Sequence, residues 1–210
     1  MIIEKRVNTI TEGDEEGGAI TGLAGGGYLV TWTSYIDHAD GSRTTSGIYA
    51  QRYNANNTKQ GSEFRVNTTV TGFESGGAIA PLNNGGFIIT WASPDADGKG
   101  ILAQRYNSNG IPQGSEFRVN NSAIDDQAGA SVATLRNGSF IIMWHSENHA
   151  NFTRDIYAQR YSANGIEQGP EILVSTGDRA SGQIAALENG GFLITWIADT
   201  FNPTNIHGQR

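Results

Sequence analysis

Two short loops of this chain place aspartates where they could bind a cation. Asp37 and Asp40 stand in the first loop and Asp95 and Asp97 in the second, each pair directly before a glycine. Calcium takes about six to eight oxygen ligands, and a glycine permits the sharp turn that folds a loop around the ion. Neither loop carries the glutamate that completes an EF-hand. The spacing therefore predicts calcium loops as one interpretation and solvated acidic loops as the other.

Three further aspartates stand at one matched position of the chain's internal repeats. They are Asp14, Asp126 and Asp178, each just before a short apolar strand; Phe73 occupies that position in the second repeat. A ring-shaped fold would bring such positions around one axis, where carboxylates could hold a central cation. Calcium is thus the only cofactor that the sequence predicts.

Carboxylates and histidines also have to be considered as catalytic or zinc-binding groups. Two carboxylates flanking a glycosidic bond hydrolyse glycans, and the loops are rich in acids. No serine nucleophile elbow, phosphate-binding loop or HisGluxxHis motif occurs. His145 and His149 share one segment and could bind zinc, although a polar surface loop explains them as well. Because an abundance of acids is not a catalytic pair, the sequence predicts a protein that is not an enzyme.

Four copies of one two-strand block must position these loops. The first strand ends in tryptophan at Trp32, Trp91, Trp144 and Trp196 and reads GlyPheIleIleThrTrp in the second copy. The second strand follows each tryptophan and reads IleTyrAlaGlnArgTyr at 48–53 and 156–161. The tryptophans are 59, 53 and 52 residues apart, a period typical of one supersecondary unit per repeat.

Each repeat predicts four β-strands, labelled a to d. Strand a is short and apolar, an AsnGly-type turn leads to strand b, strand c holds GlnArg, and strand d reads GluPheArgValAsn. Four strands in about 53 residues match one blade of a β-propeller. Residues 4–8, GluLysArgValAsn, match strand d and are predicted to close the last blade. The sequence predicts one all-β domain over 1–210, a four-bladed β-propeller with four antiparallel strands per blade and repeats at about 9–67, 68–120, 121–175 and 176–210 plus 1–8.

Composition excludes several classes of partner. The net charge is −7 and the pI is about 5.0, which argues against nucleic acid because phosphate binding rests on Lys and Arg. No apolar stretch approaches the roughly 20 residues of a membrane span, so membrane insertion is not expected. There is no cysteine, and the N-terminus lacks a classical signal peptide. We expect a monomer, with two open chains in a larger ring, or a segment of a longer array, as alternatives.

Acidic residues concentrate in one set of connections. In an up-and-down blade, the b–c and d–a loops share one end, and they hold 15 of the 21 acidic residues but only four of the 14 basic ones. Such an acidic loop face should attract cations or basic protein surfaces and repel polyanions. The loops also vary most between repeats, which is where a rigid scaffold carries function. Candidate ligand contacts in them are Tyr35, Asn148, Asn151, Phe152, Phe201 and Asn202.

Residues repeated in all four copies are expected to be scaffold. The tryptophans are predicted to be core residues and not sugar-stacking platforms, since both faces of a blade pack on neighbours. The arginines of the GlnArg pairs are predicted to extend over aromatic rings or to pair with the glutamate of strand d.

The GlyGlyPhe…Trp, AspGly-rich and IleTyrAlaGlnArg blocks together resemble tandem repeats of very large bacterial surface and secreted proteins of the repeats-in-toxin type. The resemblance covers essentially the whole chain, although the AspGly loop survives only in repeats one and two. It implies an extracellular or cell-surface location and an adhesion or binding role. The expected function is therefore a non-catalytic module that binds a glycan or calcium through its acidic loop face. A structural spacer or protein-interaction domain is the alternative, and a glycan-acting hydrolase is a third interpretation.

Overall fold

The chain folds into β-strands arranged in four successive units. The computed structural model describes residues 4–11, 13–69, 72–178, 182–198 and 205–209, and these residues form no helix and hence none that could span a membrane. Units one and two contain β1 (Glu15–Gly22), β2 (Tyr28–Asp37), β3 (Arg43–Tyr53), β4 (Phe64–Arg65), β5 (Ser75–Pro81), β6 (Phe87–Pro94), β7 (Lys99–Tyr106) and β8 (Phe117–Arg118). Units three and four contain β9 (Asp126–Thr134), β10 (Phe140–Glu147), β11 (Arg154–Tyr161), β12 (Ile172–Asp178), β13 (Gly182–Ala186), β14 (Phe192–Ala198) and β15 (Asn205–Gln209).

Within each unit the strands pair antiparallel in chain order. Units one to three hold four strands, as the repeats predict, and β13, β14 and β15 pair in the same order in unit four. The first strands of successive units lie side by side, β1 beside β5, β5 beside β9 and β9 beside β13. One parallel bridge, from Lys99 to Asp126, also joins units two and three. The all-β, propeller-like architecture predicted from the repeats is therefore confirmed.

The turn between the first two strands of each unit is the same. Leu82 donates its N–H to the carbonyl of Gly86, and Leu135 donates to Ser139, both at 2.8 Å. Gly85 takes φ 84° in this turn, a left-handed conformation that glycine adopts without steric cost. The AsnGly and GlyGly signals between strands a and b thus mark a tight hairpin that starts β2, β6, β10 and β14 in register.

The GlnArgTyr motif is explained by packing. Gln104 is buried in β7 and its side-chain amide donates to the carbonyl of Gly114 at 3.1 Å, which closes the turn that follows. The Tyr106 ring stacks on Phe87, 5.0 Å between centroids, and its hydroxyl donates to the Val66 carbonyl of the preceding unit. Equivalent contacts recur in units one and three. The motif therefore holds one unit together and ties it to the preceding one.

The arginines of the motif reach the next unit. Arg105 donates through Nη1 to the carbonyl of Ala163 at 3.2 Å, and the Arg160 guanidinium lies 5.4 Å from the centre of the Phe192 ring. The predicted structural role is confirmed, and Arg160 confirms the stacking on an aromatic ring. In the described part of the chain no ion pair joins these arginines to the strand d glutamates. Those glutamates instead accept backbone N–H groups, as Glu116 does from Thr68.

Apolar side chains fill the space between successive units. The tryptophans of the four repeats are all buried, which confirms that they belong to the core. Three apolar clusters lie between units one and two, two and three, and three and four. They include Phe87 and Trp91, Phe140 and Trp144, and Met143 and Trp196, respectively. Because each cluster draws on two units, no unit buries its own core.

The prediction of a closed four-bladed ring is not confirmed. Residues 4–8 form no strand with β15, whose only partner among the described residues is β14. Residues 4–8 instead lie against unit one, where the Tyr53 hydroxyl donates to the Val7 carbonyl and Lys5 donates to the Asn57 carbonyl. In the described residues the sheets do not close into a ring. Closure depends on the rotation between units, and local strand matching does not determine that rotation. That residues 1–210 form a single domain stays a prediction.

Candidate functional site

A pocket of about 240 Å³ opens at the loop end of unit three, against the end of unit two. Three carboxylates line it, from Asp125, Asp155 and Glu171, together with the rings of Trp144 and Tyr157. The first carboxylate precedes β9, the second begins β11, and the third stands directly before β12. The pocket thus gathers groups from successive strands of one unit and lies on the loop face that the sequence predicted to be acidic.

The aromatic wall of the pocket combines one core ring with one partly accessible ring. Trp144 is buried and stacks on Tyr157 of the adjacent strand, with ring centres 6.0 Å apart and planes 17° apart. Tyr157 is half-buried. Burial raises the pKa of its phenol, and the negative charges of Asp155 and Glu171 raise it further. The phenol therefore stays protonated at neutral pH and can donate a hydrogen bond into the pocket.

Asp125 is held in a tight local geometry. Its backbone has φ 66°, uncommon for a residue other than glycine. Its Oδ1 accepts the backbone N–H of His149 at 3.1 Å, and its Oδ2 lies 3.4 Å from the Asn148 amide nitrogen. These bonds fasten the loop after β10 to the segment before β9.

His149 lies between two carboxylates at the rim of the pocket. Its Nε2 is 3.3 Å from Asp126 Oδ2, and its Nδ1 is 3.9 Å from Asp125 Oδ1. A β-bulge between β9 and β10, with Gly129 at φ 63°, lies a few residues away along β9. Bulges commonly turn side chains near functional sites, and this one shifts the register of Asp126 relative to the rest of β9.

The other two carboxylates are each anchored by one backbone donor. Asp155 Oδ1 accepts the N–H of Gly177 at 2.9 Å, and Glu171 Oε1 accepts that of Asn121 at 2.6 Å. Their second oxygens have no hydrogen-bond or ion-pair partner among the described residues. Both groups therefore have fixed positions and retain an oxygen that can bind or exchange a proton with a ligand.

His145 and His149, the two histidines considered for zinc, lie in different environments. His145 lies in β10 with 7% of its surface exposed, and burial lowers its pKa to about 4, helped by the positive charge of Arg154. It is therefore neutral at pH 7, whereas His149 is exposed beside Asp125 and Asp126. Among the residues described, no three histidine, aspartate or glutamate side chains are grouped so as to hold a metal ion.

The predicted metal-binding aspartates have other partners in the structure. Arg43 forms ion pairs with Asp14, Glu16 and Asp37, and Asp95 pairs with Arg118. Asp40 accepts bonds from the hydroxyl and N–H of Ser42, which lower its pKa. Because guanidinium groups already pair with three of these aspartates, Asp14, Asp37 and Asp95, the loops are not preformed cation cages. Calcium binding stays a prediction of the sequence.

The second aspartate loop has a packing explanation. A Cβ on Gly98 would lie 2.5 Å from Asp126 Oδ1, and Gly98 has φ 136°. The glycine therefore allows Asp126 of unit three to approach the loop of unit two. Asp97 takes part in the same contact, with Oδ2 3.4 Å from the N–H of Asp125. Asp178 is the last residue of β12, where its backbone lies opposite that of Arg154 in the strand register.

The structure brings together half of the predicted ligand contacts. Asn148, Asn151 and the exposed Phe152 form one loop beside Asp125. Tyr35 lies in unit one, under the guanidinium of Arg43, 4.6 Å from the ring centre. Phe201 and Asn202 lie outside the described residues.

Sequence reasoning did not single out Asp155, Tyr157 or Glu171. Asp155 did carry one signal. It stands directly before the IleTyrAlaGlnArgTyr block, at the position where units one and two have Gly47 and Gly100. Glu171 gave no such signal, since every strand d begins with glutamate. Its place in the pocket depends on the packing of unit three against unit two.

No family model matches the sequence, and no curated protein matches it. Solved structures do share the fold. An endo-arabinase from Bacteroides thetaiotaomicron is 11% identical, with TM-score 0.51 over 90% of this chain and 72% of its own. A thermostable family-43 glycoside hydrolase is 12% identical, with TM-score 0.54 over 93% and 71%. A protein of unknown function from Dyadobacter fermentans is 13% identical, with TM-score 0.58 over 96% and 77%.

These similarities correct two predictions made from the sequence. The arabinase and the family-43 hydrolase are five-bladed β-propellers. This chain therefore shares its architecture with enzymes, whereas the sequence predicted a non-catalytic binding or adhesion module. The expectations of a non-catalytic module and of a protein that is not an enzyme are therefore wrong. The error arose because the missing catalytic motif and the resemblance to surface repeats were taken as arguments against catalysis, whereas one fold can host many functions. The resemblance to bacterial surface repeats stays a prediction, as do the extracellular location and the binding partners.

Proposed function

We propose that this chain is a glycoside hydrolase that cleaves a polysaccharide in the pocket of unit three. The observation that carries the proposal is the convergence of Asp125, Asp155 and Glu171 on one pocket beside the Tyr157 ring. Hydrolysis of a glycosidic bond needs two carboxyl groups, one to protonate the leaving oxygen and one to act as base or nucleophile. A partly exposed aromatic ring supplies the flat surface on which a sugar packs.

The hydrogen bonds divide the roles of the carboxyl groups. Asp125 accepts bonds from the backbone N–H of His149 and the side-chain amide of Asn148, which hold its carboxylate in place at the pocket wall, so it is assigned the part of base or nucleophile. Asp155 has one oxygen bonded to the N–H of Gly177, and its other oxygen has no partner among the described residues. It is therefore assigned the part of proton donor. Glu171 and the Tyr157 phenol are assigned the binding of sugar hydroxyls.

Arabinan and similar neutral polysaccharides are the substrate class that we assign. The endo-arabinase among the similar structures supports this class. The acidic loop face supports it too, because its negative potential disfavours polyuronates.

The test is release of reducing sugar from arabinan and from a panel of neutral plant polysaccharides. Asp125→Asn and Asp155→Asn should each lower kcat by about 10²–10⁴-fold, the usual contribution of an acid or base. Both substitutions keep the shape of the side chain, so thermal stability should change little.

Asp40→Asn is the matched control, since Asp40 is an exposed loop aspartate of unit one bonded only to Ser42. It should retain full activity. No sugar release from any polymer of the panel, or equal activity of all three variants, would reject the proposal.

A further inference from the structure

Successive units pack through two distinct faces. The forward face of a unit, as defined here, packs on the next unit along the chain, and the back face packs on the preceding one. Between units one and two, the forward face supplies Leu29, Ile48, Ala50 and Val66, and the back face supplies Phe87, Ile89, Trp91 and Tyr106. Units two and three repeat this contact with Ile88, Ile101, Ala103 and Val119 against Phe140, Ile142, Trp144 and Tyr161.

The forward face of unit four is uncovered in the part of the chain that the structure describes. Ile206 of β15 is 80% exposed, whereas the residues at its position in units one to three, Ile48, Ile101 and Ile156, are 0% exposed. Leu193 of β14 is 36% exposed, whereas its counterparts Leu29, Ile88 and Ile141 are also 0% exposed. Unit four thus presents to solvent the same apolar positions that three other units bury.

The back face of unit one is uncovered in a complementary way. Ile20 of β1 is 70% exposed, whereas Ile79 at the same position in unit two is half-buried and Val132 in unit three is buried. Trp32 and Tyr53 on this face remain buried, in contact with rings of unit one and, for Tyr53, with residues 4–8. The chain therefore exposes one forward face and one back face, which are the two halves of a contact that it makes three times internally.

Residues 4–8 match the fourth strand of a unit, which is not present among the described residues of unit four. In units one and two, a valine of strand d donates its N–H to the carbonyl of the strand c isoleucine, as Val66 does to Ile48 at 2.7 Å and Val119 to Ile101 at 2.8 Å. The asparagine after that valine accepts the isoleucine N–H. Val7 and Asn8 stand at these positions in GluLysArgValAsn, and Ile206 is the isoleucine they would meet.

Residues 4–8 already lie where the strand d of a preceding unit would lie. The Tyr53 hydroxyl donates to the Val7 carbonyl, as Tyr106 donates to Val66 and Tyr161 to Val119. Glu63 accepts the Thr9 N–H at 2.6 Å, as Glu116 accepts that of Thr68 at 2.9 Å. The surface behind unit one is therefore shaped to receive a unit with three strands.

We propose that this chain binds a second copy of itself head to tail. The forward face of unit four in one copy packs on the back face of unit one in the next, and residues 4–8 of the second copy pair with β15 of the first. A second copy is the occupant because the chain itself carries both halves of the contact, and both halves are exposed within the same chain. The contact is heterologous, so copies assemble into an open array or a closed ring.

Sedimentation velocity over a range of concentrations tests the proposal. The 210-residue chain should form species larger than a monomer as its concentration rises. Ile206→Arg removes the forward contact and Ile20→Arg removes the back contact, so each variant alone should remain monomeric. Both side chains are exposed in the isolated chain, so at concentrations where the unsubstituted protein is monomeric the variants should melt at the same temperature. Ile166→Arg, an exposed turn position of unit three away from both faces, is the control and should assemble normally.

Mixing the two variants is the decisive experiment. The Ile20→Arg copy keeps its forward face and the Ile206→Arg copy keeps its back face, so the mixture should form a 1:1 dimer and nothing larger. A monomer at every concentration, which is the result expected if the chain closes on itself, would overturn the proposal. Unchanged assembly of both single variants, or no dimer in the mixture, would also overturn it. None of these outcomes depends on whether the chain hydrolyses polysaccharides.

Discussion

Units one and three are built on the same strands, yet their loop ends have different electrostatics. In unit one, Arg43 lies over Tyr35 and pairs with Asp14, Glu16 and Asp37, so the carboxylates there are neutralised by a guanidinium. In unit three, Asp155 stands where unit one has Gly47 and borders a pocket beside Tyr157.

The comparison shows that acidity alone does not identify a site. Both loop ends are rich in aspartate, and sequence reasoning treated them alike. They differ in whether a cation already pairs with the carboxylates and in whether a cavity lies beside them. Of these two loop ends, as far as the described residues show, unit three combines carboxylates that face a cavity with a partly exposed ring.

The largest difference between the two units should appear in the core. Trp144→Ala should cost about 3–5 kcal/mol of unfolding free energy, because a large buried ring is removed between units two and three. Trp32→Ala should cost less, since the back face of unit one is not covered by another unit in the described structure. Urea unfolding of both variants checks this, and an equal loss would show that the two environments are alike.

A smaller difference should appear in the pH dependence of stability. His145 of unit three is replaced by Thr33 at the same position of unit one. Because burial lowers the pKa of His145 from 6.5 to about 4, the folded state favours neutral imidazole. The stabilisation is therefore complete above pH 6.5 and is lost as the pH falls from 6.5 towards 4, by up to about 3 kcal/mol.

His145→Thr transfers the unit one residue into unit three and should remove that part of the pH dependence. The measurement is the unfolding free energy at a series of pH values between 4 and 8. An identical slope in the variant and the unsubstituted protein would show that other groups cause the change.

The smallest effect should come from the ion network of unit one. Arg43→Gln removes the partner of three carboxylates and should lower the melting temperature slightly at low ionic strength. The difference should shrink at high ionic strength, because salt screens exposed charges. Catalysis should not change, since the network lies in a different unit from the pocket. Loss of hydrolysis in this variant would mean that unit one contributes to the site.

Much of the fold was predictable because the signals are local. The apolar run that ends in Trp91, the hairpin at Gly85 and the GlnArgTyr block specify strands and turns through interactions within a few tens of residues. Repetition then showed which residues are scaffold, and the buried tryptophans and bonded glutamines agree. Closure was not predictable in this way, because it depends on small rotations between units that accumulate over the whole chain.

The pocket was predictable only in part. The loop with Asn148 and Phe152 was recognised because it varies between repeats, and it does border the pocket. Glu171 looks like any other strand d glutamate, and it lines the site because unit three packs against the end of unit two. The sequence by itself determined the strands, the turns and the faces that each unit buries, since hydrogen bonding and apolar periodicity act over short distances. The tertiary structure alone decided which carboxylates meet in one cavity and which are neutralised by arginine, because those contacts join residues from different strands and units.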